Sequence, residues 1–395
     1  MRAIQKILVA VDVETGGGMP LERAVQVARR FRAQLVVVDV VPELTWSQRM
    51  LLTESQALQQ LIVRDRATRL RRIVRALRGR VLDAHGKLLV GRTGEQLIRL
   101  VQRGKFDLLV RATKGPHSRR QQFFSGTAFE LLRNCPCPIW LCDPQDSAGK
   151  IASAAVAPAV VAPDAVAPAA VASDAVAPAA GVSSAATEQE LSVSAPVHPT
   201  LLVAIDPAVE GAQLRELNIN LLRLGELLTS LLGGTLHVLH AWNIQGEGLV
   251  KDYMQTTDFV VLEQAIQKRS GELLCELLQE SGVEVPPERL HLVRGEASTE
   301  IARFVQERAV HTLILGTLGR SGLAGLLMGN TAEMLFHQIR CSVAALKPAD
   351  FVSRVRLRPR RSVVTGEWLS NNNPAAILFF ALFPCLSSGH FYTAH

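Results

Sequence analysis

Lys6-Ile-Leu-Val-Ala-Val-Asp12, near the start of the chain, is answered by Thr200-Leu-Leu-Val-Ala-Ile-Asp206 in its second half. Each is a short apolar run closed by an aspartate, with no polar residue alternating through it. Such a run reads as a strand buried on both faces, the habit of a parallel sheet covered by helices. Farther on, a constant offset of 204 aligns Gly91 with Gly295, Arg99 with Arg303 and Val101-Gln102 with Val305-Gln306. The same register aligns Thr113 with Thr317, Gly115 with Gly319, Thr127-Ala128 with Thr331-Ala332 and Cys137 with Cys341, with no gap over about 50 residues. The chain has duplicated one folding unit.

Each copy alternates strand-like and helix-like stretches. In the first, strands are expected at 7–11, 34–41, 87–90, 107–111 and 138–142, with helices near 20–32, 50–79, 93–103 and 125–133. In the second, strands are expected near 200–205, 235–241, 290–294, 312–316 and 342–346. The expected fold class is therefore α/β: two tandem, doubly wound, five-stranded parallel-sheet domains at 1–143 and 197–350. Between them, 144–196 carries the repeat DAVAPAAVAS–DAVAPAAGVS at 164–183, with prolines at 158, 163, 168 and 178. Small side chains and frequent proline bury too little to offset ordering entropy, so this segment reads as a disordered linker. Residues 351–395 match neither copy. They begin basic, with Arg354, Arg356, Arg358, Arg360 and Arg361, and turn apolar from Ala375. A membrane-surface anchor and an unselected extension both fit, and disorder is the expectation. An apolar run of about 12 residues is short of the ~20 that span a bilayer, so no stable membrane insertion is expected.

With 48 % hydrophobic and 20 % charged residues in 395, packed cores are feasible and wholesale disorder is excluded. The net charge of +7 divides into +13 over 1–143, −4 over 144–196, −6 over 197–350 and +4 over 351–395. A basic module is tied to an acidic one, which favours pairing of the two domains within one chain, or pairing between chains as a homodimer. Residues 63–80, VRDRATRLRRIVRALRGR, hold eight arginines on a helical pattern whose apolar stripe is Leu70, Ile73, Val74 and Leu77. The plain reading is a solvated basic face; a nucleic-acid or protein-adaptor surface is the sharper alternative. Six cysteines make no disulfide framework, and Asp12 cuts the first apolar run too early for a secretory signal, so the expected location is cytoplasmic. Cys135-Pro-Cys137 and Cys142 lie in a strand context and read as small buried hydrophobes. No pair among the ten histidines has metal-ligand spacing, and no metal is expected; His240 lies near a strand end and reads as structural.

In a doubly wound sheet, ligands bind beyond the carboxyl ends of the strands at the point where strand order reverses. In the second copy Asp206 ends the first strand and Ala241 lies near the end of the second. After the fourth strand comes Gly316-Thr-Leu-Gly319-Arg320, which continues to Gly329-Asn330-Thr331 at the start of the last helix. Glycines there permit positive φ and close backbone approach, and a helix start offers unpaired N–H groups to an anion.

Gly316-x2-Gly319-x9-Gly329 followed by a small polar residue, with the strand-end Asp206 and the duplication, resembles the nucleotide-binding pattern of universal stress proteins. The resemblance covers about 1–143 and 200–348. It implies a fold related to adenine-nucleotide-binding proteins and a stress-survival role without established catalysis. It further implies ATP, or a related small ligand, held mainly in the second domain. Asp206 would meet the adenosine end, Gly316 and Gly319 the ribose and phosphates, and Gly329 with Asn330 the phosphate oxygens. Ala241, Arg320 and Thr331 complete the expected site. The family usually carries Ser or Thr where Asn330 stands; an amide can still donate. The first copy reads Ala112-x2-Gly115-x9-Ser125-Gly126-Thr127, losing two of three glycines, and its site is expected to be degenerate. A weakly ATP-hydrolysing enzyme is the remaining alternative, but Asp206-Pro207-Ala208-Val209-Glu210 supplies no Ser-Gly-Gly phosphate loop.

Overall fold

The computed structural model describes residues 4–43, 55–114, 123–145, 198–244, 246–317, 329–357 and 369–370. The first copy runs β1 (Lys6–Ala10), α1 (Gly18–Phe31), β2 (Gln34–Val41), α2 (Ser55–Ala76), β3 (Ala84–Val90), α3 (Thr93–Gly104), β4 (Leu108–Ala112), α4 (Gly126–Asn134) and β5 (Ile139–Cys142). The second runs β6 (Thr200–Ala204), α5 (Ala212–Leu232), β7 (Thr235–Trp242), α6 (Glu247–Tyr253), α7 (Thr256–Ser281), β8 (Leu290–Arg294), α8 (Ala297–Glu307), β9 (Thr312–Gly316), α9 (Asn330–Gln338) and β10 (Ser342–Leu346).

Within each copy the strands are parallel and follow one spatial order, β3-β2-β1-β4-β5 and β8-β7-β6-β9-β10. The unbroken apolar runs explain this: β1 from Ile7 to Ala10 and β6 from Leu201 to Ala204 are buried at every position. Helices cover both faces. One core layer takes Val25 and Ala28 of α1, Leu70 and Val74 of α2, Leu221 of α5 and Leu277 of α7. The other takes Leu97 and Ile98 of α3, Leu131 of α4, Ile301 and Phe304 of α8 and Leu335 of α9. Apolar residues three and four apart put one stripe of each helix against the sheet.

Both layers run uninterrupted from one copy to the other, because the two sheets are one. β10 pairs with β5 in antiparallel fashion, with Val343 opposite Leu141, Ala344 opposite Trp140 and Ala345 opposite Ile139. Around this seam Phe124 and Phe129 pack edge-on against Phe336, and Trp140 is 1 % exposed. Arg133 pairs with Glu333 across it, and Asp143 donates its N–H to Ser342 Oγ at 2.9 Å. Sequence charge favoured an electrostatic attraction between a basic and an acidic half; the seam is built on a backbone ladder and apolar side chains, with Arg133–Glu333 as its ion pair among the described residues.

The described parts of the C-terminal segment lie against the first copy. Gln102 Nε2 donates to the Val355 carbonyl at 3.1 Å, and β11 (Leu369–Ser370) adds antiparallel to β3. Residues 146–196 of the linker and the apolar run from Ala375 lie outside the described residues. Among the described residues, no helix is long and apolar enough to cross a membrane.

Candidate functional site

β6 lies between β7 and β9, so the chain leaves its neighbourhood in opposite directions and opens a crevice at the carboxyl ends of the strands. A cavity of about 430 Å³ fills that crevice. Its size lies in the range of small-molecule sites, roughly 300–1,000 Å³. Asp206, Ala241, Gly316, Gly329, Asn330 and Thr331 all line it, although they come from four separate stretches of chain. Gly319 and Arg320 fall in 318–328, outside the described residues.

Asp206 follows β6 and turns the chain: its Oδ1 accepts the Ala208 N–H at 3.2 Å, and its carbonyl accepts from Asn218 Nδ2 at 2.7 Å. Asn218 is a buried residue of α5, so the Asp206 backbone is held by the helix that forms the cleft wall, while its carboxylate bonds the Ala208 N–H. On the opposite side, Gly329 donates its N–H to Thr317 O at 2.9 Å, and Thr317 donates to Leu346 O at 3.1 Å. These bonds fasten the start of α9 to the end of β9. No side chain caps α9, whose first residues line the cavity. Its first-turn N–H groups and dipole therefore face the space opposite Asp206, a place suited to an anion.

Gly316 acts through space and not through handedness. Gly329 has φ −57°, open to any residue, and Gly316 is not among the positive-φ glycines. A Cβ on Gly316 would stand 3.1 Å from Leu217 Cδ2, so its absence lets α5 approach the end of β9. Sequence spacing missed Asn218, Asn243 and Glu296, which also line the cleft. Gly295 could have pointed to the last of these, because its counterpart Gly91 was visible in the repeat. His240 is buried with Nδ1 3.2 Å from the Ile205 carbonyl and does not line the cavity. Among the described lining residues the charged groups are both acidic, Asp206 and Glu296.

The first copy shows the same frame put to other use. Ser125 N–H bonds Thr113 O at 2.9 Å, as Gly329 bonds Thr317, but Ser125 Oγ then accepts the Ala128 N–H at 3.2 Å and caps α4 itself. Arg111, at the position of the cleft residue Leu315, places Nη1 3.4 Å from that hydroxyl, and burial pushes its pKa down to about 10. At the other end, Asp12 Oδ1 accepts the Glu14 N–H at 2.9 Å, repeating the Asp206 turn. Arg66 of α2 reaches over it, 3.8 Å from Asp12, 2.9 Å from Glu14 and 3.0 Å from the buried Asp39. Burial raises the Asp39 carboxyl above its usual value despite the opposing pull of Arg66. Side chains of this copy thus engage both the aspartate and the helix start. Among the described residues, no group of three or more His, Cys, Asp or Glu side chains is placed to hold a metal ion.

A duplicated, doubly wound α/β sheet with a cleft at its switch point, bounded by a strand-end aspartate and a glycine-led helix start, defines a nucleotide-fold protein of the universal stress class. The universal stress protein family model matches residues 3–143 and 198–347, and the chain belongs to that family. It is 21 % identical over 358 residues to universal stress protein E of Photorhabdus laumondii, covering 89 % of this chain and 97 % of that protein. Universal stress protein E of Escherichia coli K12 is 21 % identical over 363 residues, covering 90 % and 98 %. Among solved structures, a protein of unknown function from Pseudomonas aeruginosa PAO1 superposes with a TM-score of 0.58 at 19 % identity, covering 88 % of this chain and 94 % of its own.

Proposed function

We propose that this universal stress protein binds an adenine nucleotide, or a related small anionic ligand, in the cleft of its second copy and acts through its binding state. The observation that carries the reading is the uncapped start of α9 facing Asp206 across the cavity. Asp206 accepts hydrogen bonds from the nucleoside, Ala241 gives the base an apolar wall, and the Gly316 backbone lies beside the sugar. The first turn of α9, with the Asn330 and Thr331 side chains, donates to phosphate oxygens; Gly319 and Arg320 add donors from the intervening segment. Binding connects that segment to both strand ends and so biases a surface that partners read in stress survival. The first copy, with Arg66 and Ser125 engaged internally, binds no nucleotide.

Titration calorimetry of the full chain with ATP tests this. One site per chain is expected, and Gly329→Val, which places a branched side chain at the helix start, should weaken binding at least about tenfold. Equal affinity in the two proteins would show that the ligand sits elsewhere. The reading is of binding without turnover; ATP hydrolysis above background that disappears in Gly329→Val would replace it with an enzyme.

A second reading has its own observation. Arg64, Arg71, Arg72 and Arg75 are exposed on α2, while Arg66, Arg69 and Arg80 are engaged by Asp39, Asp65 and Glu22. Four unspent guanidinium groups on one helix suit a polyanion. DNA binding that weakens steeply with salt, and is lost in Arg71→Glu/Arg75→Glu, would support it; salt-independent or absent binding would remove it.

A further inference from the structure

Proline fixes its own φ and so limits how a short bend can fold. Cys135-Pro136-Cys137 is such a bend, placed between the end of α4 and the start of β5. The two sulfurs stand 3.6 Å apart, with Cys135 fully buried and Cys137 7 % exposed. A disulfide needs about 2.05 Å between sulfurs, so a relative shift of about 1.5 Å would close the ring. The second copy provides the contrast: Cys341 matches Cys137, but Ile339 stands where its partner would be.

A cation attends the pair. Lys347, just after β10, crosses the seam and donates from Nζ to the Leu132 carbonyl at 2.6 Å, one of the unpaired carbonyls at the end of α4. The same ammonium lies 5.0 Å from the centre of the Phe351 ring, and no carboxylate pairs with it among the described residues. Burial pushes its pKa down to about 8, and the charges it feels in return are those of Cys135 and Cys137. Burial raises the Cys135 thiol, but the hydrogen bond from Cys137 and the Lys347 charge outweigh it and hold Cys135 below its usual value. Cys137 is held above it, first by its hydrogen bond to Cys135 and then by burial. The lysine and the hydrogen bond thus favour negative charge on Cys135 over Cys137.

We propose that Cys135 and Cys137 form a redox-active dithiol at the joint between the two copies, oxidised to a disulfide by hydrogen peroxide, with Lys347 as the positioning residue. The Cys135 thiolate attacks one peroxide oxygen, the O–O bond breaks, and the departing hydroxide takes a proton to leave as water. Cys137 then attacks the resulting sulfenic sulfur; the S–S bond forms, the S–O bond breaks, and the Cys137 proton leaves with the hydroxyl as a second water. Two thiols and one peroxide give one disulfide and two waters, a two-electron change. A thiol or dithiol reductant reverses it.

Treatment of the full chain with peroxide, followed by alkylation and peptide mass mapping, reads the outcome. The peptide carrying both cysteines should lose the mass of two hydrogens, resist alkylation and recover with dithiothreitol. Exposed Cys275 serves as the internal control for unassisted oxidation. Lys347→Met should slow disulfide formation about tenfold near neutral pH and move its rate profile to higher pH, while Lys347→Arg keeps both. The site is refuted by oxidation of Cys275 while Cys135 and Cys137 stay alkylatable, or by Cys135 passing to sulfinic acid with no disulfide. An unchanged rate and pH profile in Lys347→Met would remove the role of the lysine.

Discussion

Ser125 and Gly329 occupy the same place in the two copies and make the same backbone bond to a buried threonine. They differ by one hydroxymethyl group, which in Ser125 consumes a helix N–H and in Gly329 is missing. Gly329→Ser should therefore strengthen the second copy and weaken its ligand site together. A serine cap is worth only roughly 0.3 kcal/mol more than glycine, visible as a slightly higher urea midpoint, while ATP affinity in the calorimeter should fall. Unchanged affinity alongside higher stability would mean the ligand makes no use of the helix start. The Gly316–Thr331 stretch was legible because it joins the end of β9 to the start of α9, and Asp206 because it closes an apolar run; only the fold brings the two together. Arg66 was not. It reads in sequence as one arginine of eight, and only the fold carries it 54 residues back to Asp12.

At the scale of elements, most strands were legible to about a residue, since apolar runs without alternation have few other uses; β3 starts at Ala84 and not at 87, because Ala84-His85-Gly86 is no apolar run, and β11 was not expected. Contacts between elements were not. His237 of β7 and His291 of β8 stack with Nδ1 and Nε2 3.0 Å apart, a pairing set by sheet register across 54 residues. Burial lowers both imidazoles below 6.5; at His237 the charges of His291, Arg308 and Arg289 add to this, and at His291 that of Arg308. The unfolded chain thus binds protons that the folded chain refuses. The pair's contribution is complete above pH 6.5 and is lost as pH falls through the lowered folded values. Urea midpoints should drop as pH falls from about 7 through the histidine range, and drop less in His237→Gln/His291→Gln. Helix-to-sheet spacing is equally specific. A Cβ on Gly225 of α5 would lie 2.4 Å from Val203 Cγ2 and 3.1 Å from Leu236 Cδ1. Gly225→Ala should cost about 1–3 kcal/mol in chemical denaturation, against the gain expected from helix propensity. A stabilised variant would show that α5 can lift from the sheet at no cost.

For the whole molecule, the duplication and the charge division were plain in sequence, yet the way the halves meet was not. Antiparallel pairing of β5 with β10 uses backbone groups that every residue has, so no side-chain pattern announces it. The seam's described ion pair, Arg133–Glu333, is partly exposed on both sides and so worth about 0–1 kcal/mol. Scattering profiles should stay compact from low salt to about 0.5 M, where the screening length falls to a few ångströms. Separation of the halves with rising salt would mean that net charge, and not the ladder, holds them.

The antiparallel joint also fixes a direction. Parallel strands give each half a polarity, with every carboxyl end on one side, and reversing the second half at β10 points the two polarities opposite ways. The cavity of the second copy and the Arg66 cluster therefore lie toward opposite rims of a single slab. A partner that senses occupancy of the cleft approaches one rim and cannot touch the first copy's equivalent edge in the same embrace. The duplication has thus produced a two-ended object: one rim carries the cavity, the other an aspartate held by Arg66 and a helix start capped by Ser125.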